Sequence, residues 1–141
     1  MIIKQLSIFL ENKSGRLADI SEMLAKEAIN ISAFSIADTS DYGILRLIVN
    51  NPDKAYQILK ENGVSVSLTE VIGIVVPHHP GGLAKALRVL SDEKISIEYM
   101  YAFAMDSKAS VIIRTDDIQH AITILQKHEM ELLSSSEVYK I

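Results

Sequence analysis

The sequence predicts an α+β fold of two ferredoxin-like βαββαβ units in tandem, each a four-stranded antiparallel sheet with two helices on one face. Three observations predict it. The chain aligns with itself at an offset of 66 residues without a gap. Each half mixes apolar runs of period two with apolar runs of helical period, and both halves do so in the same order.

The repeat is seen in identities: Gly15, Leu17, Ala18, Leu24, Glu27, Ile29 and Ile31 fall on Gly81, Leu83, Ala84, Leu90, Glu93, Ile95 and Ile97. Ala55, Ile58 and Leu59 likewise meet Ala121, Ile124 and Leu125. One register holding from the first loop to the second helix is the mark of duplication, not of two amphipathic segments agreeing by chance.

Residues 2 to 10 alternate, with Ile2, Leu6, Ile8 and Leu10 on one face, which predicts a strand; Leu17, Ile20, Leu24 and Ala28 then recur at helical spacing. "INISAFSIAD" and "GILRLIVN" are rich in β-branched and apolar residues and flank the turn cluster "TSDYG", so they predict a hairpin. "NPDKAYQILKENG" opens with Asn51 as N-cap and Pro52 at the first helical position, and closes with Gly63 as C-cap. "VSVSLTEV" supplies the last strand. The second half repeats the series: "VIGIVVP", a helix over 81–93, "ISIEYMYAFAM", "ASVIIRT", a helix carrying Ile118, Ala121, Ile122 and Leu125, and a closing strand near "MELLSSSEVYKI". The units are expected at 1–69 and 70–141, and residues 64–76 must hold the last strand of one and the first of the next. No linker separates them, which argues against independent tumbling. Right-handed crossovers put both helices of a unit on one face of its sheet. The other face needs a cover, since Phe34 and Ile36 alternate with Ile31 and Ala33 and both sets are apolar, which implies burial on two sides.

Composition narrows the function. With 141 residues, 48% of them hydrophobic, the chain can bury a core as one domain or as two small ones. A net charge of −4, from 14 basic and 18 acidic residues, offers no excess of cation to neutralise phosphates, so nucleic acid is not an expected partner. The absence of cysteine excludes disulfides and thiolate chemistry and agrees with a cytoplasmic home. The start "MIIKQLSIFLENK" is too short and too polar for a signal peptide, and no run of apolar residues is long enough to span a membrane.

Chemistry-bearing residues are few. His78 and His79 are neighbours on an extended stretch and point apart, which gives no zinc site; His120 and His128 are expected on the exposed side of the last helix. "YMYAFAM" has the look of a base-stacking platform. Alternation, however, puts Tyr99, Tyr101 and Phe103 on the side of Ile95 and Ile97, under the helices, and basic surroundings are missing. A phosphate-loop enzyme of this topology would need an arginine in the first loop; Arg16 is the single candidate and lies beyond the glycine. No catalytic residue, cofactor or metal is expected.

The loop "ENKSGRLADI", the helix "SEMLAKEAINI" and the βαββαβ order resemble the ACT domain, a small regulatory unit attached to many enzymes of amino-acid metabolism. Its pattern is a strand, a polar residue, a short loop with glycine, a leucine two residues on, and an Asn-Ile pair at the start of the second strand. This chain has Asn12, Ser14-Gly15, Leu17 and Asn30-Ile31, and in its second half His78, Pro80-Gly81, Leu83 and Ser96-Ile97. The resemblance covers the whole chain as two units.

The resemblance implies a free amino acid bound where the first loop meets the second strand, at an interface between two ACT units. Its ligand-binding residues would be Asn12, Ser14, Gly15, Arg16, Leu17, Asn30 and Ile31. A carboxylate wants N–H groups at a helix N-terminus, an ammonium wants carbonyl or amide oxygens, and Gly15 lets the main chain approach a ligand. Apart from the resemblance, Gly15 serves equally as a turn residue, Asn12 and Ser14 as caps, and Asn30 as the first residue of a strand. The second half, with Ser96 and His78 at the informative places, is expected to bind weakly or to serve as the neighbouring wall. Glu11 and Asp38, at strand ends, favour a basic or polar amino acid such as histidine or lysine. The expected function is that of a stand-alone sensor acting as a homodimer on a separate enzyme; the alternative is a structural dimerisation module without ligand.

Overall fold

A computed structural model describes residues 1–11, 13–38, 41–105 and 107–139, with the backbone alone at Asp38 and Met105. The elements run β1 (Ile3–Glu11), α1 (Arg16–Lys26), β2 (Ile31–Asp38), β3 (Tyr42–Val49), α2 (Pro52–Glu61), β4 (Ser65–Pro77), α3 (Gly82–Asp92), β5 (Ile97–Met105), β6 (Lys108–Thr115), α4 (Ile118–Lys127), β7 (Glu131–Leu132) and α5 (Ser135–Tyr139). They form the two βαββαβ units that the repeat predicts. One compact unit comprises Lys4–Thr69 with Val138–Ile141, and the other Met1–Ile3 with Glu70–Glu137. We call them the first and second unit.

In the first unit the strand order is β2-β3-β1-β4, and in the second β7-β4-β6-β5. Leu6, Ile8 and Leu10 of β1 and Leu45, Leu47 and Val49 of β3 point to one face, where they meet Ile20 and Leu24 of α1 and Ala55 and Leu59 of α2. The second core is built from the corresponding positions: Ile72, Ile74 and Val76 against Ala86 and Leu90, with Val111, Ile113, Ala121 and Leu125. Period-two strands and period-3.6 helices thus bury matched stripes, and this burial is the main source of stability.

The caps follow the repeat as well. Asn51 accepts the Lys54 N–H at 3.2 Å, and Asp117 accepts the His120 N–H at 3.1 Å. Left-handed residues recur at the same offset: Gly15 (φ 89°) and Gly81 (φ 90°), Ala28 and Lys94 (both φ 58°), Gly63 (φ 76°) and Glu129 (φ 57°). Gly63 follows the cap residue Asn62 and is the left-handed residue that ends α2.

Three expectations are corrected. The closing strand is only Glu131–Leu132, paired with Ile74 and Val75 of β4; the chain then turns into α5, which a capping box starts. In that box the Glu137 N–H donates to the Ser134 hydroxyl and the Ser134 N–H to the Glu137 carboxylate, both at 3.2 Å. A serine run with a glutamate three residues on is a helix start, and it outweighs the strand signal of "MELL".

The other two corrections share one cause, a bulge early in the second strand of each repeat. The register shifts between Ile31 and Ala33, and again between Ile97 and Tyr99. One extra residue reverses the alternation beyond it. Ile31, Phe34 and Ile36 therefore share the helix face, lining one groove with Leu17, while Ala33, paired with Ile48, turns away. In the second unit Tyr99, Tyr101 and Phe103 pair with Arg114, Ile112 and Ser110, opposite the core strand residues Val111 and Ile113. They do not lie under the helices with Ile95.

Candidate functional site

The first loop is built the same way in both units. The Lys13 N–H reaches the Glu11 carbonyl at 2.8 Å, the Arg16 N–H reaches Lys13 at 3.4 Å, and the Asp19 N–H reaches Gly15 at 2.9 Å. Their repeats are His79 to Pro77 at 3.0 Å, Gly82 to His79 at 3.1 Å and Lys85 to Gly81 at 3.1 Å. Gly15 is the N-cap of α1, and among the described residues no side chain caps that helix. The N–H groups of Leu17 and Ala18, in the first turn, have no partner one turn back, so this loop ends in amides suited to an anion.

A cleft of about 190 Å³ opens beside the loop, lined by Leu10, Glu11, Lys13, Arg16, Leu17, Ile36 and Gly43. Glu11 is paired with Lys13 at 2.8 Å. That hydrogen bond, the Lys13 charge and then the Arg16 guanidinium hold its carboxyl below the ordinary value of 4.5. Leu17 continues into a longer apolar groove of about 320 Å³, between α1 and β2, lined by Ala18, Ser21, Ile31, Phe34 and Ile36. Leu17, Phe34 and Ile36 are 48%, 69% and 48% exposed, although they are large and apolar and β2 is the outer strand of its sheet. Large side chains left in water along an outer strand mark a surface that wants a cover.

Of the predicted residues, Arg16 and Leu17 line the cleft, and Leu17 and Ile31 share the groove. Ser14 and Gly15 lie in the exposed turn, and Asn12 falls outside the described residues. Asn30 stands apart. The ladders bring Glu11, Tyr42, Gly43 and Asp38 to one end of the sheet, and Ile31 and Val49 to the other. Six ladder steps, Gly43 to Val49, of about 3.3 Å separate the two ends, so the loop and Asn30 of one unit are roughly 20 Å apart. They cannot touch the same small ligand within that unit.

Asn30 is held by a residue that sequence reasoning missed. Its N–H donates to the Asn50 side-chain oxygen at 3.1 Å, and the Asn50 N–H donates to the Asn30 carbonyl at 3.2 Å. Ser96 and Asp116 repeat the pair. His78, His79, His120 and His128 are all exposed, and among the described residues no three metal-ligating side chains gather. No helix among those residues is long and apolar enough to cross a membrane.

A family model for the ACT domain pair matches residues 1–141. The chain is an ACT domain pair. A crystallised protein of Bacteroides thetaiotaomicron is similar at 52% identity, over 100% of this chain and 98% of that one, with a TM-score of 0.97. The ligand-free regulatory subunit of aspartate kinase from Thermus thermophilus matches at 15% identity, over 88% and 91%, with a TM-score of 0.62. The corresponding subunit from Thermus flavus gives 16%, 90% and 94%, and 0.60. These two share the fold with this ACT domain pair. A search of curated proteins finds no match. ACT domain pairs are typical of small-molecule-binding regulatory domains and are generally non-catalytic.

Proposed function

We propose that this ACT domain pair is a cytoplasmic amino-acid sensor that works as a homodimer and regulates a separate enzyme of amino-acid metabolism. The observation that carries the reading is the separation of the predicted residues. The loop around Gly15 and the Asn30-Ile31 pair lie at opposite ends of β2, and an exposed apolar groove runs between them. Two copies joined antiparallel along β2 would bring the loop of each beside Asn30 of the other and would cover Phe34 and Ile36. Strand addition at an outer edge supplies the main-chain hydrogen bonds for such a joint.

In this arrangement the amino acid's carboxylate meets the first-turn amides of α1, with Arg16 near, and its ammonium meets Asn30 of the other copy. Glu11, kept ionised by Lys13, lies in the cleft and favours a basic or polar side chain such as that of histidine or lysine. The reading needs no catalytic residue, cofactor, metal or nucleic acid. Binding that favours one arrangement of the dimer shifts its population and so the surface offered to the regulated enzyme.

A thermal-shift screen against the twenty amino acids tests it. A ligand at 100 times its dissociation constant stabilises by about 2.7 kcal/mol. No shift with any of them leaves the second reading, a dimerisation module without ligand, which the exposed Phe34 and Leu17 favour equally. A branched-chain amino acid binding more tightly than every basic one removes the side-chain preference.

A further inference from the structure

We infer that Asn62 is a site of self-modification: the main-chain nitrogen of Gly63 attacks its side-chain carbonyl carbon, ammonia leaves, and the α2–β4 turn of the first unit gains an acid. The inference stands on the turn alone and does not rest on the amino-acid reading above. Asn62 is the C-cap of α2, with φ of −90° and ψ of 13°, and both it and Gly63 are exposed. Glycine has no Cβ to shield its nitrogen. The other asparagines, Asn12, Asn30, Asn50 and Asn51, are followed by lysine, isoleucine, asparagine and proline. A side chain shields the nitrogen after the first three, and a proline nitrogen carries no proton to lose.

The step balances with water as the only other reactant. The Gly63 N–H gives its proton to hydroxide, the nitrogen forms a bond to Asn62 Cγ, and the Cγ–Nδ2 bond breaks with release of ammonia. Water then opens the cyclic imide at either carbonyl. One opening gives aspartate; the other leaves the main chain running through the side chain, as isoaspartate.

The fold holds this reaction back. The Gly63 N–H donates to the Lys60 carbonyl at 3.1 Å, Asn62 Nδ2 donates to the Ile58 carbonyl at 2.8 Å, and ψ of 13° turns the bond to the Gly63 nitrogen away from Cβ. Attack therefore waits for the last turn of α2 to open, which helix ends do far below the cost of global unfolding. The products fit the turn badly. Aspartate sets a negative charge at the negative end of the helix and loses the donor to Ile58. Isoaspartate inserts a methylene before Gly63 and so displaces the Val64 N–H from the Leu59 carbonyl, which it now meets at 2.9 Å.

The repeat shows that the turn can be built without this pair. His128 has φ of −91° and ψ of 14°, and Glu129 is left-handed at φ 57°. The N–H groups of Glu129 and Met130 reach Gln126 and Leu125 at 3.0 and 2.9 Å, as those of Gly63 and Val64 reach Lys60 and Leu59. Putting the second unit's residues into the first should therefore remove the reaction and keep the turn.

To test this, folded protein and protein in guanidinium chloride are kept in warm, mildly alkaline buffer, and peptides are mapped by mass spectrometry with aspartate and isoaspartate resolved. Asn62 should convert before every other asparagine, more slowly in the folded protein than in the unfolded, and the aged protein should unfold at lower denaturant. Asn62→His/Gly63→Glu should fold by circular dichroism and stay unmodified at this turn. Gly63→Ala, whose Cβ meets nothing within 4 Å, should slow the conversion and takes over if the double variant does not fold. The inference is overturned if another asparagine converts first, if folded and unfolded protein convert at the same rate, or if the folded protein does not convert at all.

Discussion

Thr115 faces Ile97 across the β5–β6 ladder as Val49 faces Ile31 across β2–β3, yet the Thr115 hydroxyl is buried and has no hydrogen-bond partner among the described residues. Val49 is fully buried in the first core. The second repeat thus carries a polar atom where the first has a methyl group of the same shape. A buried hydroxyl without a partner costs about 1–3 kcal/mol. Thr115→Val should therefore stabilise the protein by about 1 kcal/mol. Chemical denaturation reads this directly, and a loss of stability would mean that the hydroxyl has a partner in solution.

Gly82 and Gly15 should fail for different reasons when changed to alanine. A Cβ at Gly82 would collide with the main-chain oxygen of Pro77, which has no flexible end to move aside. At Gly15 a Cβ meets nothing within 4 Å, but the residue has φ of +89°. The strain there is about 1–2 kcal/mol, while Gly82→Ala must displace the loop and should cost about 3 kcal/mol. Urea midpoints of the two variants give the order, and Gly15→Ala proving the more damaging would contradict it.

Glu11 gives a pH dependence of known sign. Its folded carboxyl titrates below the ordinary 4.5 because of the Lys13 hydrogen bond, the Lys13 charge and the Arg16 charge, in that order. The unfolded state binds the proton more readily, so the contribution is complete above the ordinary value and is lost as pH falls through the lowered one. Lys13→Met should move the Glu11 titration upward to about its ordinary value, because the effects that remain, desolvation that raises it and the Arg16 charge that lowers it, oppose each other. Carbon-detected NMR follows the carboxyl; a midpoint unmoved by Lys13→Met would rule out the pairing.

Much of this molecule could be read from its sequence, because the repeat checks each local signal twice. Gly15 and Gly81, or Asn51 and Asp117, predict a turn and a cap weakly when taken singly and firmly as pairs. The faces of the second strands escaped, because a bulge between Ile31 and Ala33 leaves no mark in a pattern where every residue nearby is apolar or small. The hydrogen bond from Asn50 escaped because it joins Asn30 to a residue 20 positions away, and only the fold brings them together. The closing strand was overextended because "SSSEVYKI" carries a capping box that competes with it. Of the candidate site, the turn at Gly15 was legible from its repeat at Gly81, but which end of β2 that loop faces depends on strand register, which composition does not encode.

The roughly 20 Å between the loop and Asn30 turns the two halves of the proposed site into a test of assembly. If they meet only across two copies, removing the joint must abolish binding even with every ligand-contacting residue intact. Phe34→Glu puts a charge in the middle of the exposed groove, between the loop and Asn30, and should give a monomer by light scattering that no amino acid stabilises. Asn30→Ala should leave the dimer intact and lose a hydrogen bond to a charged ligand group, about 1.5–3 kcal/mol, which is roughly ten- to a hundredfold in affinity. Ser96→Ala should change little, since the second unit has no amide at that place. Mixing Phe34→Glu with Asn30→Ala should restore nothing, because the charged groove prevents pairing with either partner. A monomeric Phe34→Glu that still binds an amino acid with wild-type affinity would show that the site is complete within one chain, and the antiparallel joint along β2 would then have no part in it.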